Sequence, residues 1–497
     1  MPRWTDEQLQ AINTSGKNII VSAGAGSGKT AVLTERVITK LKQGIKINEL
    51  LILTFTNAAA SEMKDRIRTA ISENPDLKEN LDIIDASYIT TFDSYTLSLV
   101  KKYSYLLNIS PKLSIIDNST ISIIKNKTLE EVFSEFYEKN EELFRAFIKN
   151  SNLKNDTELK KSILKIYESL ENKINKEELL DNYFQIMLSD EKRKGYIKEY
   201  EDLILMEVKK IETNIFYLSE SDFSDYYTEM EKALEKLLKS KNYDEVKENI
   251  NVSLPRRPKN SEDIKVYKDN ISDSLDTIKG YLKYPNVLEI EESFKKTFGI
   301  ISVIIDIIKE LDKKIKDYKY KLDLYEFIDI ELMAIKLLKE NEEIRKELQQ
   351  TYKEICVDEY QDTNDIQEEF ISLIENNNCY MVGDIKQSIY GFRNANPSIF
   401  KNKYDLYSQE NGGVKIDLLK NFRSRSNVLG AINEIFGKVT DLDFGGANYV
   451  LEHQMVFGNL MYEEEIKNDQ NYDLEVYNYE RVDNKFSKEE IESFIIA

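Results

Sequence analysis

Near the start of the chain, nine residues have the types and order that bind a phosphate group. Residues 22–30 read Ser-Ala-Gly-Ala-Gly-Ser-Gly-Lys-Thr, between an apolar run and a helical pattern. Glycines let successive backbone N–H groups turn toward an anion, and a helix that begins there adds its positive N-terminal end. Lys29 can then reach the β- and γ-phosphates of a nucleotide, and the hydroxyl of Thr30 can bind Mg2+. Ala23 stands where the strict pattern has glycine, so a glycine-rich turn is the alternative.

A second group with chemical potential is the acid pair Asp358 and Glu359, which directly follows the apolar run 355–357. The first carboxylate can bind Mg2+, and the second can orient and deprotonate an attacking water. A phosphate-binding loop alone also occurs in kinases, GTPases and transporters. Two acids at the end of a strand favour an ATPase that uses water, and the alternative is a strand end with solvated acids.

The elements that must position these residues alternate between strand and helix over the first ~115 residues, which predicts a parallel sheet with helices on both faces. Strands are predicted at 18–21, 50–55 and 88–91, helices at 31–41, 58–72 and 95–106, and further strands at 354–358, 378–383 and 415–419.

From about 117 to 340 glycine nearly disappears and apolar residues follow a helical spacing. One such stripe comprises Leu129, Val132, Phe133 and Phe136. The run 300–308 predicts a core helix. We therefore expect an α/β fold that is interrupted by a large helical insertion.

The charge of the chain argues against a nucleic-acid partner, because phosphate binding needs local positive charge. The 497 residues carry a formal net charge of −20. A groove can still be basic on an acidic protein, so this lowers the expectation of DNA binding without excluding it. The basic loop 254–260 could contact a phosphate backbone, but a solvated connector is the favoured interpretation.

The ends of the chain predict its location. The N-terminus has no signal pattern, and no apolar run approaches the ~20 residues of a membrane span. We therefore expect a cytoplasmic protein with no membrane contact.

Ser487 is a predicted N-cap, with Glu490 three residues on. The chain then stops on an apolar run, which is typical of a truncated chain.

Four further segments lie in order around the loop and the acid pair. They read Trp-Thr-Asp-Glu-Gln at 4–8, Leu-Thr-Phe-Thr-Asn at 53–57, Val-Gly-Asp-Ile-Lys-Gln at 382–387 and Asn-Phe-Arg-Ser at 421–424. Together the six segments resemble the motifs of superfamily 1 DNA helicases of the UvrD/Rep type. Within these, the chain is most similar to the A subunits of bacterial AddAB (RexAB) helicase–nucleases.

This resemblance implies a RecA-like P-loop NTPase fold. Its first RecA-like domain would comprise 1–115 and 341–414, the helical domain 116–340, and the start of a second RecA-like domain 415–497. It also implies an ATP-dependent, 3′–5′ DNA helicase that acts in double-strand break repair. The implied cofactors are ATP and Mg2+, and the implied partners are single- and double-stranded DNA and an AddB-type (RexB-type) subunit.

The resemblance also assigns roles to residues. The catalytic residues would be Lys29, Asp358, Glu359, Gln387 and Arg423, and Thr30 and Asp358 would bind the metal. Nucleotide binding is assigned to Gln8, Ala23, Gly24, Ala25, Gly26, Ser27, Gly28, Lys29, Thr30, Arg36 and Phe422. DNA binding is assigned to Phe55, Thr56, Asn57, Thr91, Tyr390, Phe392 and Arg393. Gln8 would read adenine, whereas Phe55 would stack on a base or, as the alternative, belong to the core.

Three departures from the family pattern matter. Asp93 replaces a histidine, and an acid there would repel phosphate. Phe392 stands where tryptophan is frequent. Motifs V and VI and a nuclease domain are not found, so the second catalytic arginine, worth ~10³–10⁵ in rate, would be missing. The second hypothesis is therefore a fragment that binds ATP and DNA but hydrolyses poorly. A non-enzymatic scaffold and a small-molecule kinase fit the motifs less well.

Overall fold

The computed structural model describes residues 4–150, 156–259, 261–440, 449–459, 461–462 and 486–496. The chain divides into two compact units, which comprise 1–116 with 320–497, and 117–319. The strands in the described residues are β1 Ile19–Ala23, β2 Leu50–Thr54, β3 Tyr88–Thr91, β4 Ser114–Ile115, β5 Leu324–Tyr325, β6 Glu354–Val357, β7 Cys379–Gly383, β8 Val414–Leu418, β9 Lys420–Asn421 and β10 Val456–Phe457.

The helices are numbered in the same way. They are α1 Asp6–Asn13, α2 Lys29–Lys42, α3 Asn57–Ser72, α4 Glu79–Ile83, α5 Phe92–Lys102, α6 Asn118–Lys139, α7 Glu142–Asn150, α8 Thr157–Glu171, α9 Lys176–Asp181, α10 Tyr183–Met187, α11 Asp190–Ser219, α12 Ser224–Leu238, α13 Tyr243–Asn249, α14 Lys265–Tyr281, α15 Val287–Leu322, α16 Phe327–Glu340, α17 Glu342–Thr351, α18 Asp365–Ile374, α19 Pro397–Ser408, α20 Ser426–Val439 and α21 Lys488–Ile496.

The first unit is built on a six-stranded sheet in the order β3-β2-β6-β7-β1-β8. All of its neighbouring strands are parallel, with Ile20 opposite Met381 in β7 and Lys415 in β8. The predicted strands and the α/β class are therefore confirmed. Because parallel strands end at the same edge, the segments after β1, β6 and β7 meet there, which is where ligands bind in such sheets.

Each face of this sheet is covered by its own apolar cluster. Successive strand residues point to opposite faces, so Ile20 packs with residues of α5, α16 and α18. Ile19 and Val21 pack instead with residues of α2 and α3. These apolar runs are buried on both faces, as is usual for parallel strands.

Two predicted domain boundaries differ from the structure. The helical unit ends at 319 rather than 340, because α16 buries Ile330 and Ala334 in the cluster that contains Phe92 of α5. The segment 415–418 does not begin a second domain. It lies in β8, which pairs with β1 along the edge of the first sheet. Helical spacing and strand spacing are visible in a sequence, but the surface on which an element packs is not.

The helical unit, 117–319, has two apolar clusters of its own. One joins α11 to α14, and the other joins α6, α8 and the middle of α15. The predicted stripe is confirmed, since Leu129, Val132 and Phe133 are buried and Phe136 packs against them. The run 300–308 lies within α15, as predicted.

The predicted N-cap of the last helix is confirmed. The side chain of Ser487 accepts a hydrogen bond from the N–H of Glu490 at 3.2 Å, and α21 begins at the next residue. Cys356 and Cys379 are buried. No helix in the described ranges combines the length and the apolar run that crossing a membrane requires.

Candidate active site

The loop between β1 and α2 has the backbone of a phosphate-binding loop. Gly26 and Gly28 have φ angles of +72° and +88°, which residues with a Cβ rarely adopt. Gly28 is the N-cap of α2 and has no side chain to cap it. The N–H groups in the first turn of α2 are therefore available to an anion, and the helix dipole favours negative charge there.

A cavity of about 420 Å³ opens beside this loop. Its lining residues come from five separate segments of the chain and are Ala25, Gly26, Gly28, Lys29, Thr30, Ala31, Arg66, Glu359, Gln387 and Arg423. The structure thus brings together four of the five predicted catalytic residues, and the fifth, Asp358, directly precedes Glu359. Ala23, Gly24 and Ser27 do not line the cavity. Ala23 is the fully buried end of β1, so this position has no need of glycine.

The ammonium of Lys29 and the carboxylate of Glu359 form an ion pair in which Nζ lies 2.8 Å from Oε2. The backbone of Glu359 has a φ of +48°, a strained conformation for a residue other than glycine. Its N–H donates to Oδ1 of Asp358 at 3.0 Å. Burial, with the negative charge of Glu359, raises the pKa of Asp358 to about 6, although Lys29 opposes this.

The donor set fits a Mg2+–nucleotide complex. Mg2+ prefers oxygen ligands, and Thr30 and Asp358 offer a hydroxyl and a carboxylate beside the phosphate loop. The raised pKa of Asp358 shows that its charged form lacks full compensation, which a cation would supply. The cavity has the size usual for small-molecule ligands.

Gln387 ends a short 3₁₀ turn, Ile385–Gln387, that follows β7. Its Nε2 donates to Oδ2 of Asp384 at 2.8 Å, and the ammonium of Lys386 lies 2.6 Å from the other carboxylate oxygen. Asp384 therefore holds the Gln387 side chain at the cavity.

The segment that contains Arg423 is hydrogen-bonded directly to the phosphate loop. Asn421 donates from Nδ2 to the carbonyl of Ala25 at 2.6 Å, and the N–H of Phe422 donates to the carbonyl of Gly26 at 2.8 Å. A Cβ on Gly26 would lie 2.7 Å from Cβ of Arg423. Gly26 is thus required both for its φ angle and for this close approach.

Gln8 contacts the loop from the other side. Its Nε2 donates to the carbonyl of Ser27 at 3.0 Å, while its Oε1 accepts from the N–H of Thr5 in a capping box. Gln8 thereby joins α1 to the phosphate loop. Its contact with adenine, like the assignment of Phe422 to nucleotide binding, stays a prediction.

The assignment of Arg36 to the nucleotide is corrected by the structure. Its guanidinium is 1% exposed and donates to both carboxylate oxygens of Glu354, at 2.9 and 2.5 Å, and to the carbonyl of Ala11 at 2.7 Å. It also lies over the ring of Tyr380. Arg36 is therefore a core residue, because a buried charge needs this many partners.

Sequence reasoning missed Arg66. This residue lies on α3 and lines the cavity, where its guanidinium is 2.6 Å from Glu62, one helical turn earlier. In the sequence, the spacing of Glu62 and Arg66 is that of an ordinary surface ion pair. One sequence feature could have indicated Arg66. It lies on α3, which directly follows β2 and the predicted motif 53–57.

The predicted DNA-binding aromatic residues form one surface cluster. The rings of Phe55 and Tyr390 are 5.0 Å apart, and those of Tyr390 and Phe392 are 5.6 Å apart. The guanidinium of Arg393 lies 5.2 Å from the ring centre of Phe55. Phe392 is 80% exposed and Phe55 is half-buried, so Phe55 is not a core residue. Such rings can stack on bases of any sequence.

The polar residues assigned to DNA have local roles in the structure. Thr56 and Thr91 are the N-caps of α3 and α5, and each side chain accepts a hydrogen bond from a backbone N–H in the first turn of its helix. Asn57 is exposed at the start of α3. Thr91 is buried, and DNA contacts by all three remain predictions.

Asp93, the departure from the family histidine, is half-buried near Arg393. Burial raises the pKa of Asp93, and the charge of Arg393 opposes this rise. Glu331 of α16 is buried close by, and burial, with the charge of Asp93, raises its pKa to about 7. The charges of Asp93 and Arg393 therefore partly offset each other, which reduces the repulsion of phosphate expected from Asp93 alone.

Comparison with known families agrees with this geometry. A sequence model of the UvrD/REP helicase N-terminal domain matches residues 4–408, which include the phosphate loop, the acid pair and the aromatic cluster. The chain belongs to the UvrD/REP helicase family. The resemblance derived from the motifs is therefore confirmed.

Several curated relatives carry the name of one component of an ATP-dependent helicase/nuclease, its A subunit. The chain is 32% identical over 511 residues to this protein from Lactobacillus johnsonii, an alignment that covers 93% of this chain and 42% of the relative. It is 33% identical to the proteins of the same name from a Thermoanaerobacter species and from Clostridium acetobutylicum, with 92% and 90% of this chain covered and 41% and 40% of the relatives. The chain thus spans about two fifths of the length of these relatives.

Proposed function

We propose that this chain is the ATP-hydrolysing part of a DNA helicase that moves along single-stranded DNA. The observation that carries the proposal is the single cavity lined by Lys29, Glu359, Gln387 and Arg423. These four residues come from segments that are up to about 390 positions apart. In the same order, they supply the phosphate-binding ammonium, the general base, the γ-phosphate sensor and the arginine that phosphoryl transfer to water needs.

Each residue has a step in this mechanism. Lys29 leaves Glu359 and binds the β- and γ-phosphates, which frees the Glu359 carboxylate to accept a proton from the attacking water. Gln387 contacts the γ-phosphate, and Arg423 stabilises the charge that develops on the transferring group. Thr30 and Asp358 would hold Mg2+, which supplies charge neutralisation on the phosphates when bound.

DNA movement would depend on the aromatic cluster of Phe55, Tyr390 and Phe392. Bases would stack on these rings. The segment that carries Tyr390 and Phe392 also contains Asp384 and Gln387, which lie beside the proposed nucleotide site. The closed state of the protein would bind ATP and ADP with different affinities, and this difference would drive each cycle. The direction, 3′ to 5′, is proposed from the family resemblance.

We further propose that the protein works in the cytoplasm in double-strand break repair, together with an AddB-type subunit. This rests on the relatives, which are named as A subunits of a helicase/nuclease. Co-purification of this chain with an AddB-type subunit tests the partnership, and separate elution of the two at micromolar concentration would contradict it.

The test of the proposed function is steady-state ATPase activity of the full chain with and without single-stranded oligothymidine. We expect Lys29→Ala to lower kcat/KM at least ~100-fold, the range for loss of one preorganised electrostatic group. The control is Lys42→Ala, since Lys42 is exposed at the other end of the same helix. Undiminished turnover in Lys29→Ala would refute the assignment. Tight ATP and DNA binding with no DNA-stimulated turnover would instead favour the second hypothesis, a slow fragment.

A further inference from the structure

Gln361 is a buried side chain between the acid pair and the segment that follows β7. It is 1% exposed and belongs to the 3₁₀ turn Tyr360–Asp362. Its Nε2 donates to Oε2 of Glu359 at 3.0 Å and to Oδ2 of Asp362 at 3.2 Å. Its Oε1 accepts from the N–H of Asp384 at 2.9 Å. One amide therefore joins the proposed base to the residue that holds Gln387.

The packing around Gln361 leaves little room for independent movement of the two segments. A Cβ on Gly383 would lie 2.3 Å from Oε1 of Gln361 and 3.1 Å from its backbone nitrogen. The hydroxyl of Ser388 donates to the carbonyl of Gln361 at 3.2 Å. Farther along, the N–H of Asn396 donates to the carbonyl of Thr363 at 2.9 Å. The turn and the segment 383–396 are thus joined at several points.

The same segment carries the aromatic cluster. Tyr390 and Phe392 lie between Ser388 and Asn396, the two outer points of this connection. A displacement of Tyr390 by a stacked base would therefore reach the backbone of Gln361 through Ser388 and that of Thr363 through Asn396. Closely packed, hydrogen-bonded segments of this kind are the physical means by which two sites become coupled.

At the nucleotide end, Gln361 acts on the oxygen that matters for hydrolysis. Lys29 and Gln361 both donate to Oε2 of Glu359, at 2.8 and 3.0 Å. When Lys29 turns to the phosphates, the amide of Gln361 stays and determines where the carboxylate points. A purely structural glutamine would need only its bond to the N–H of Asp384.

We propose that Gln361 is a positioning residue through which single-stranded DNA on the aromatic cluster orients the Glu359 carboxylate for hydrolysis. This inference rests on the proposed function. In it, DNA stimulates the ATPase because movement of segment 383–396 reaches Glu359 through the Gln361 amide.

The variant that tests this is Gln361→Glu in the full chain. It has the same shape, and its ionised carboxylate can still accept from the N–H of Asp384 but cannot donate to Glu359. Beside Glu359 and Asp362 this carboxyl group takes up a proton as the pH falls and can then donate again, so the ratio is measured from pH 7 to 9 and the loss is expected at the upper end. We expect the ratio of kcat with saturating oligothymidine to kcat without it to fall at least tenfold. The KM for ATP and the Kd for oligothymidine should stay within about threefold of the wild-type values. A general loss of structure would weaken binding as well as stimulation.

Gln349→Glu is the matched control. Gln349 is half-buried in the same unit and donates to the carbonyl of Leu373 at 3.0 Å, away from the cavity. Ser388→Ala is the second variant, in case Gln361→Glu does not fold. It removes one bond to Gln361, and we expect the ratio to fall about two- to threefold.

The outcomes separate the two claims. A wild-type ratio in Gln361→Glu or, if that variant is unfolded, in Ser388→Ala overturns the role of Gln361 while the proposed function stands. The same loss in Gln349→Glu also overturns it, because the effect would then be non-specific. A wild-type chain with no ATPase activity, or with a ratio of one, overturns the proposed function itself.

Discussion

Replacement of Asn421 by alanine should lower turnover by removing the contacts that hold Arg423 at the cavity. Asn421 is 3% exposed, and its Nδ2 donates to the carbonyl of Ala25 at 2.6 Å. Its Oδ1 accepts from the N–H groups of Arg423 and Ser424, at 2.9 and 2.8 Å. Asn421→Ala removes all three bonds without touching the Arg423 side chain.

The expected magnitude follows from these bonds. The two that tie Arg423 to the phosphate loop run through Nδ2 to Ala25 and through Oδ1 to the Arg423 N–H, and each is worth about 1 kcal/mol net. A loss of about 2 kcal/mol corresponds to about thirtyfold in the population with Arg423 in place. We therefore expect kcat to fall about 10- to 100-fold. Arg423→Ala should lose more, since such arginines are worth ~10³–10⁵.

The assay is ATPase activity at saturating ATP, with ATP affinity measured separately by a fluorescent analogue. The control is Asn378→Ala. Asn378 also makes two hydrogen bonds to backbone, with Tyr352 and Asn376, but it lies at the other end of β7. It should reduce stability without changing kcat. A kcat for Asn421→Ala within twofold of wild type, alongside a large loss in Arg423→Ala, would refute this reasoning.

Three further predictions concern the loop, the acid pair and the aromatic cluster. Gly26→Ala should abolish ATP binding, measured by fluorescence titration, because the new Cβ would meet Arg423. The control is Gly16→Ala, which should keep ATP binding because Gly16 has a similar φ of +76° but open space around it. Equal ATP binding by the two variants would contradict this. The pKa of Asp358 is raised to about 6, so kcat/KM at low Mg2+ should fall as the pH drops through 6 and the carboxylate becomes protonated, and a flat profile from pH 5 to 8 would count against Asp358 as a metal ligand. Phe55→Ala should weaken oligothymidine binding about 5- to 150-fold, or 1–3 kcal/mol, with ATP affinity unchanged, as checked by anisotropy; unaltered DNA affinity would exclude stacking on Phe55.

The sequence predicted the features that depend on neighbouring residues. The apolar runs before 22–30 and 358–359 became β1 and β6, and Gly26 and Gly28 adopted the left-handed conformations of a phosphate loop. The order of motifs along the chain also predicted the family. These features follow from local residue type and spacing, so they need no knowledge of distant contacts.

The pairing of the edge strand β8 could not be predicted from local residue type and spacing. Segment 415–418 was predicted as a strand and is one, but its partner is β1 rather than a strand of a second domain. An edge strand has the same alternation of residues whichever sheet it joins. The bonds of Asn421 to Ala25, 396 positions earlier, likewise have no local signal.

The two helix arginines make the contrast clear. From the sequence, Arg36 in α2 was assigned to the nucleotide and Arg66 in α3 was not. In the structure, Arg36 is enclosed with Glu354, 318 positions away, and Arg66 lines the cavity. The sequence by itself determined which segments make the phosphate loop and the acid pair. Which charged side chains face the nucleotide was decided by tertiary packing, because a buried charge must pair with a partner that only the folded chain brings near.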